Sequence, residues 1–143
     1  MRGKMHMAAP LPFVGQKRMF AKEYIRILPQ FNDKTLFVDL FGGSGLLSHI
    51  TKHLRPDATV VYNDYDNYRE RLEHIPQTNA LLSDMREIVG DLPKHKQISG
   101  KMREKVLERL RHEKQVVGYI DFITISASVM FSMKYKLSIE EIE

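Results

Sequence analysis

Asp39 stands three residues before Gly42-Gly-Ser-Gly45, and a second carboxylate, Asp64, follows Gly45 by nineteen positions. Acids placed at the ends of consecutive strands, with a glycine-rich turn between them, suit a ligand that carries a ribose. Glycines let the backbone turn sharply and come close to the ligand. A carboxylate at the second strand end can accept both ribose hydroxyls. Either feature alone has a plainer explanation. A strand-to-helix turn uses glycine for geometry, and Asp64 can cap a helix beginning at Tyr65. Upstream, Phe13 and Lys17 lie in Pro12-Phe-Val-Gly-Gln-Lys17 and offer an aromatic face and a cation to the same neighbourhood.

The elements that must position these groups can be read from hydrophobic pattern. Leu36, Phe37, Val38, Leu40 and Phe41 form an apolar run interrupted only by Asp39. Continuous hydrophobicity of this kind predicts a central strand, buried on both faces as in a parallel sheet. A helix is expected from about Leu46, with Leu47, Ile50 and Leu54 on its apolar face and a break at Pro56-Asp57. Ala58 to Asp64 then reads as a second strand. Before the first strand, Phe20, Tyr24, Ile27 and Leu28 recur at helical spacing between Lys17 and Leu28, and Pro29 ends the pattern.

Beyond Asp64 the periodicity is mostly helical: Tyr65 to Ile75, a turn at Pro76-Gln77, and Asn79 to Val89 closed by Gly90 and Pro93. Lys94 to Lys114 holds eight Lys/Arg and three Glu around Met102, Val106, Leu107 and Leu110, the pattern of a basic amphipathic helix. The apolar stretch Gly118 to Met133 is long enough to favour a buried helix over a strand pair, and Ile139 opens another helical pattern. His49 and His53 are spaced i, i+4, as metal ligands on a helix can be. No third ligand follows nearby and no H-E-x-x-H glutamate is present, so a packed or solvated helix face is the better reading.

The 143 residues, 43% of them hydrophobic, suit one compact domain or a piece of one. With no cysteine there is no disulfide and no thiol nucleophile, which fits a cytoplasmic protein, and no membrane span is evident. Charge divides along the chain. Residues 1–34 hold seven Lys/Arg against two Asp/Glu, residues 35–91 five against nine, and residues 92–143 ten against seven. An acidic centre between basic flanks suits an uncharged or cationic ligand in the middle and a polyanion around it.

In order, Pro12-Phe-Val-Gly-Gln-Lys17, Asp39-Leu-Phe-Gly-Gly-Ser-Gly45 and the acidic strand end at Asp64 resemble the opening of the D12-class, Dam-like DNA adenine-N6 methyltransferases. The resemblance covers about residues 10 to 90. It implies a Rossmann-like α/β fold that binds S-adenosyl-L-methionine. On it, Phe13 lies against the cofactor, Lys17 approaches its carboxylate end, Phe41, Gly43 and Gly45 form the surrounding loop, and Asp64 holds the ribose. Asp39 orients the loop or the methionine amino group. The family's catalytic [D/N/S]-P-P-[Y/F/W] motif is absent, since no two prolines are adjacent. No catalytic residue is therefore assigned.

These readings together predict an incomplete methyltransferase fold, with few parallel strands and a helix-rich C-terminal half. Residues 1–91 would form the cofactor-binding part, and 92–143 a basic helical connection toward a target-recognition region. The chain is expected to be the amino-terminal portion of a DNA-modifying enzyme, with double-stranded DNA as partner, and its unpaired strand edge to lead to self-association or to be covered by its own apolar segment, Val116 to Met133. A ribosomal-RNA adenine methyltransferase and a non-catalytic nucleotide- or DNA-binding module are the alternatives. Duplex DNA against RNA in a methylation assay separates the first of these.

Overall fold

A computed structural model describes residues 4–15, 17–93, 96–129 and 135–143. The chain packs as two compact units, Met1–Leu72 and Glu73–Glu143.

In the first unit, a 3-10 turn at Lys17–Phe20 runs into helix α1 (Ala21–Ile27), and a second 3-10 turn, Leu28–Phe31, follows with Pro29 in its first positions. Strand β1 (Leu36–Asp39), helix α2 (Leu46–Leu54) and strand β2 (Thr59–Tyr62) make a parallel crossover unit, with Leu36 opposite Thr59 and Asp39 opposite Tyr62. Helix α3 (Tyr68–Glu73) ends the unit. Ala21, Leu46 and Ile50 are its fully buried centre, with Met5, Met7, Tyr24, Ile25 and Leu47 packed around them. Arg55, at the C-terminus of α2, fixes where β1 begins: its guanidinium donates to the carbonyls of Phe31, Asn32 and Lys34 and lies 5.9 Å from the Phe37 ring centre.

The expectation of a strand buried on both faces is not met. Along β1, Phe37 and Asp39 are half-buried while Leu36 and Val38 are 58% and 54% exposed. Successive side chains of a strand point to opposite faces. Of the two faces, one packs on the helices, with Phe37 and Asp39 beside Leu47, Ser48 and Thr51. The two strands are the whole sheet among the described residues, so no further strand covers the free edge of β1.

The second unit is helical. Helix α4 (Ile75–Val89) carries Leu81, Leu82 and Met85 into a core shared with Val106 and Leu110 of α5 (Gly100–Val116) and with Ile120 and Ile125, the latter in α6 (Phe122–Val129). By packing, the units divide at Leu72/Glu73, because α4 buries its apolar face against α5. Pro76, expected to make a turn, instead sits in the first turn of α4, where its missing N–H leaves no helical bond unmade. Buried Asp121 begins α6 by accepting the Thr124 N–H and hydroxyl. A short helix α7 (Ile139–Ile142) is capped by Ser138, whose hydroxyl accepts the Glu141 N–H. Part of the expected segment Gly118 to Met133 lies outside the described residues. No described helix is long and apolar enough to cross a membrane.

An exposed strand edge flanked by apolar side chains is a template for pairing with another chain. The 143-residue chain should therefore self-associate in gel filtration with light scattering, and Val38→Lys should return it toward monomer. A monomeric wild type whose β1 amides exchange rapidly would contradict this.

Candidate functional site

The glycine turn closes on itself before α2 begins, with Gly45 N–H bonded to the Gly42 carbonyl at 2.8 Å and the backbone left-handed at Gly45, φ 69°. Two glycines in it are required by their neighbours. A Cβ on Gly42 would lie 2.1 Å from the Tyr62 ring and 2.6 Å from the Asn63 carbonyl oxygen. At Gly43, φ is 52°, and a Cβ would meet the edge of Phe13 at 3.0 Å. The loop is thus pressed between β2 and the N-terminal Phe13, and only bare backbone fits there.

Three elements meet at the Asp39 carboxylate. Lys17 Nζ pairs with Oδ1 at 3.0 Å, and the Ser48 hydroxyl of α2 donates to Oδ2 at 2.8 Å. The same Lys17 ammonium donates to the Phe41 carbonyl, so the cation is held at the mouth of the loop. An ammonium has three N–H donors. Among the described residues two are engaged, which leaves a third N–H for an anionic group.

At the second strand end the Asp64 carboxylate accepts three hydrogen bonds: from Tyr68 N–H at 2.7 Å, from Arg69 N–H at 3.0 Å and from the Tyr62 hydroxyl at 3.0 Å. It caps α3. A carboxylate offers about four lone-pair positions, so one is left on Oδ2, which among the described residues accepts only the Arg69 N–H. Burial, the hydrogen bond to Asp64 and the charges of Asp64 and Asp39 push the Tyr62 phenol pKa upward, keeping it protonated and a donor.

These groups border a cleft of about 470 Å³ lined by Phe13, Lys17, Phe41, Gly43, Asn63 and Asp66, among others. Of the expected site residues, Phe13, Lys17, Phe41 and Gly43 line it directly. Asp39 stands behind Lys17, Gly45 closes the turn, and Asp64 lies outside the lining. Sequence reasoning missed Asp66, an exposed carboxylate in the cleft with no hydrogen-bond partner among the described residues, and Tyr65 beside it, 86% exposed. The spacing Asp64-Tyr-Asp66 held that signal, since the strand-end acid was free to be either one. Ser48 was also missed, although its place one turn into α2 puts it in reach of Asp39.

His49 accepts the His6 N–H at Nε2, 3.2 Å, and its ring lies 6.3 Å from that of His53. Among the described residues no three His, Cys, Asp or Glu side chains gather as a metal site.

What the first unit provides is a parallel β-α-β crossover whose glycine turn, cation and aromatic faces surround one cleft of a size that suits a small organic molecule. The chain is 40% identical over 146 aligned positions to a Haemophilus influenzae strain Rd protein named "Putative methyltransferase". The alignment takes in 96% of this chain but 47% of that protein, so the chain spans about half the length of the curated relative it matches. No protein-family model and no solved structure matches the chain.

The loop's tolerance can be measured directly. Gly42→Ala places a methyl against a backbone oxygen that cannot rotate away, and should destabilise the fold by about 1–3 kcal/mol. Thermal melting checks it; an unchanged midpoint would mean that the loop has room which its packing on Tyr62 denies.

Proposed function

We propose that this chain is the cofactor-binding part of an S-adenosyl-L-methionine-dependent methyltransferase acting on adenine N6 in DNA. The observation that carries the reading is Lys17, fixed by Asp39 and the Phe41 carbonyl at the edge of an aromatic-walled cleft, beside a loop that admits no side chain at Gly42. The name of the Haemophilus protein supports methyl transfer in general; the adenine target rests on the resemblance of the motifs.

S-adenosyl-L-methionine has the features these residues complement. Its carboxylate would meet the third N–H of Lys17, and its adenosyl portion the faces of Phe13 and Phe41. Gly43 and Gly45 allow the close approach of backbone. Asp64 would accept a ribose hydroxyl on its remaining lone pair, and Asp66 stands two residues away in the cleft itself. When bound, the cofactor supplies an electrophilic methyl group on sulfur. The groups that orient N6 are not assigned in this chain, which has no adjacent prolines.

Calorimetry with S-adenosyl-L-methionine tests the site. Asp64→Ala should weaken binding about tenfold or more, since a hydrogen bond to a charged acceptor is worth roughly 1.5–3 kcal/mol, and should lower the melting point by uncapping α3. Unchanged affinity with a lowered melting point would leave Asp64 a helix cap alone. No binding by the wild type would overturn the cofactor reading.

DNA is the proposed partner of the basic segment, though much of its charge is engaged locally. On α5, Arg109 pairs with Asp84 and Glu113, Arg111 with Glu143, and Lys114 donates to the Gly118 carbonyl. Arg103 donates to the Glu143 carbonyl. Lys101 and Lys105 are the exposed cations of α5 without a partner among the described residues. Two phosphate contacts imply a shallow salt dependence, about a tenfold loss of affinity between 50 and 200 mM salt. Titration of labelled duplex DNA across that range checks this; binding indifferent to salt would remove the helix from the interface.

A further inference from the structure

We propose that Tyr62 is the positioning residue of the cofactor loop, a strut whose ring fills the space left by Gly42 and whose hydroxyl links the Gly43 carbonyl to the carboxylate that caps α3. The inference rests on the cleft being the S-adenosyl-L-methionine site, and it deepens that reading by naming what sets the loop's geometry.

Tyr62 is the last residue of β2 and pairs in register with Asp39, the last residue of β1. Backbone pairing therefore holds its Cα opposite the strand that launches the loop. From there the ring reaches under the turn, 2.1 Å from where a Gly42 Cβ would be and 3.7 Å from a Gly45 Cβ. Ring and Gly42 define each other: the turn can pass this close only because Gly42 has no side chain, while a Cβ at Gly45 would make an ordinary contact with the ring. The hydroxyl has a single hydrogen, which lies between two acceptors, the Gly43 carbonyl and Asp64 Oδ1. That same Oδ1 accepts the Tyr68 N–H. The one phenol hydrogen, shared by the two acceptors, thus ties the loop carbonyl to the carboxylate that accepts from the first turn of α3.

Two features mark this as positioning rather than filling. A phenylalanine would serve to occupy the space, yet the phenol is directed at two acceptors on two different segments. The Gly43 carbonyl it holds belongs to the peptide whose α-carbon faces Phe13, a lining residue of the cleft. Rotation of that peptide would change the cleft wall. The neighbouring Asn63 adds a tie of its own, its amide donating to the Leu40 carbonyl at 2.9 Å, so the loop is held at two points, Leu40 and Gly43, from the end of β2 and the residue after it.

Tyr62→Phe retains the ring and removes only the hydroxyl. Amide exchange in the ligand-free chain should accelerate about tenfold at Gly45, Tyr68 and Arg69, while Val106 to Leu110 in α5 stay as in wild type. The Ser44 amide nitrogen, in the same peptide as the Gly43 carbonyl, should shift in the 15N–1H spectrum. Affinity for S-adenosylhomocysteine should fall about three- to tenfold, as expected for one net hydrogen bond.

Exchange and Ser44 shift unchanged in a folded Tyr62→Phe would overturn the proposal, whatever the ligand does. If the wild type fails to bind S-adenosylhomocysteine, the cofactor reading falls, and the exchange data still decide the role of Tyr62. If both proteins bind equally and exchange is unaltered, the cofactor reading stands and the strut does not. Should Tyr62→Phe unfold, Tyr62→Met, similar in reach and without a donor, carries the same measurements. Selective loosening of Gly45 and Tyr68 supports the strut, and uniform loosening of the first unit refutes it in favour of core filling.

Discussion

Two oxygens of one carboxylate hold the first unit's site together. Asp39 ends β1, binds the ammonium of Lys17 ahead of α1 and accepts the hydroxyl of Ser48 on α2, with only 13% of its side chain exposed. A charge withdrawn from water to this extent is unfavourable unless paired and hydrogen-bonded, and Asp39 is both. The gain is registration more than stability. A pair of this kind often contributes little net free energy, but removing either partner leaves a charge without compensation. The approach of the N-terminal segment, the end of the strand and the first turn of the helix are therefore fixed relative to one another before any ligand enters.

Much of this was legible in the residues. The apolar run before the glycines located β1, the 3.6-residue spacing of Leu46, Leu47, Ile50 and Leu54 located α2, and Ala58 to Asp64 bracketed β2. Lys17, Phe13, Phe41 and Gly43 were placed at the loop, and the structure brings them to one cleft. What the pattern did not reveal was burial. A continuous apolar strand reads as two-sided, yet Leu36 and Val38 are exposed because the described sheet has one covered face and two strands. Hydrophobicity records the environment in which a residue is favoured, and the neighbours that make that environment lie elsewhere in sequence or in another molecule.

The carboxylates after β2 show a second limit of sequence reading. Spacing from the glycine loop singled out Asp64, but spacing cannot say where a side chain's lone pairs are directed. Asp64 is turned toward the open N–H groups of α3, which any helix start must satisfy, and Tyr62 takes a share of it as well. Asp66 follows Tyr65 on the connection to α3, lines the cleft and has no internal partner among the described residues. An acid can serve a ligand fully only where the fold does not already use it. The two positions are thus complementary: one fixes the direction in which α3 departs, the other is left available by that departure.

The same accounting applies to the basic helix. Counting charges along Lys94 to Lys114 gives an excess of five, a number that suggests a strong polyanion surface. In the folded second unit, Arg103, Arg109, Arg111 and Lys114 are directed into bonds with Asp84, Glu113, Glu143 and the carbonyls at helix ends. Each such bond lowers the free energy of a local arrangement and removes a cation from those that could condense on phosphate. For a surface to draw on its full formal charge, a nucleic acid would have to displace these internal acids, and the exchange of one carboxylate for one phosphate is nearly balanced in charge. Net charge therefore sets an upper bound on electrostatic affinity, and the pairing within the fold decides how far below that bound the surface lies.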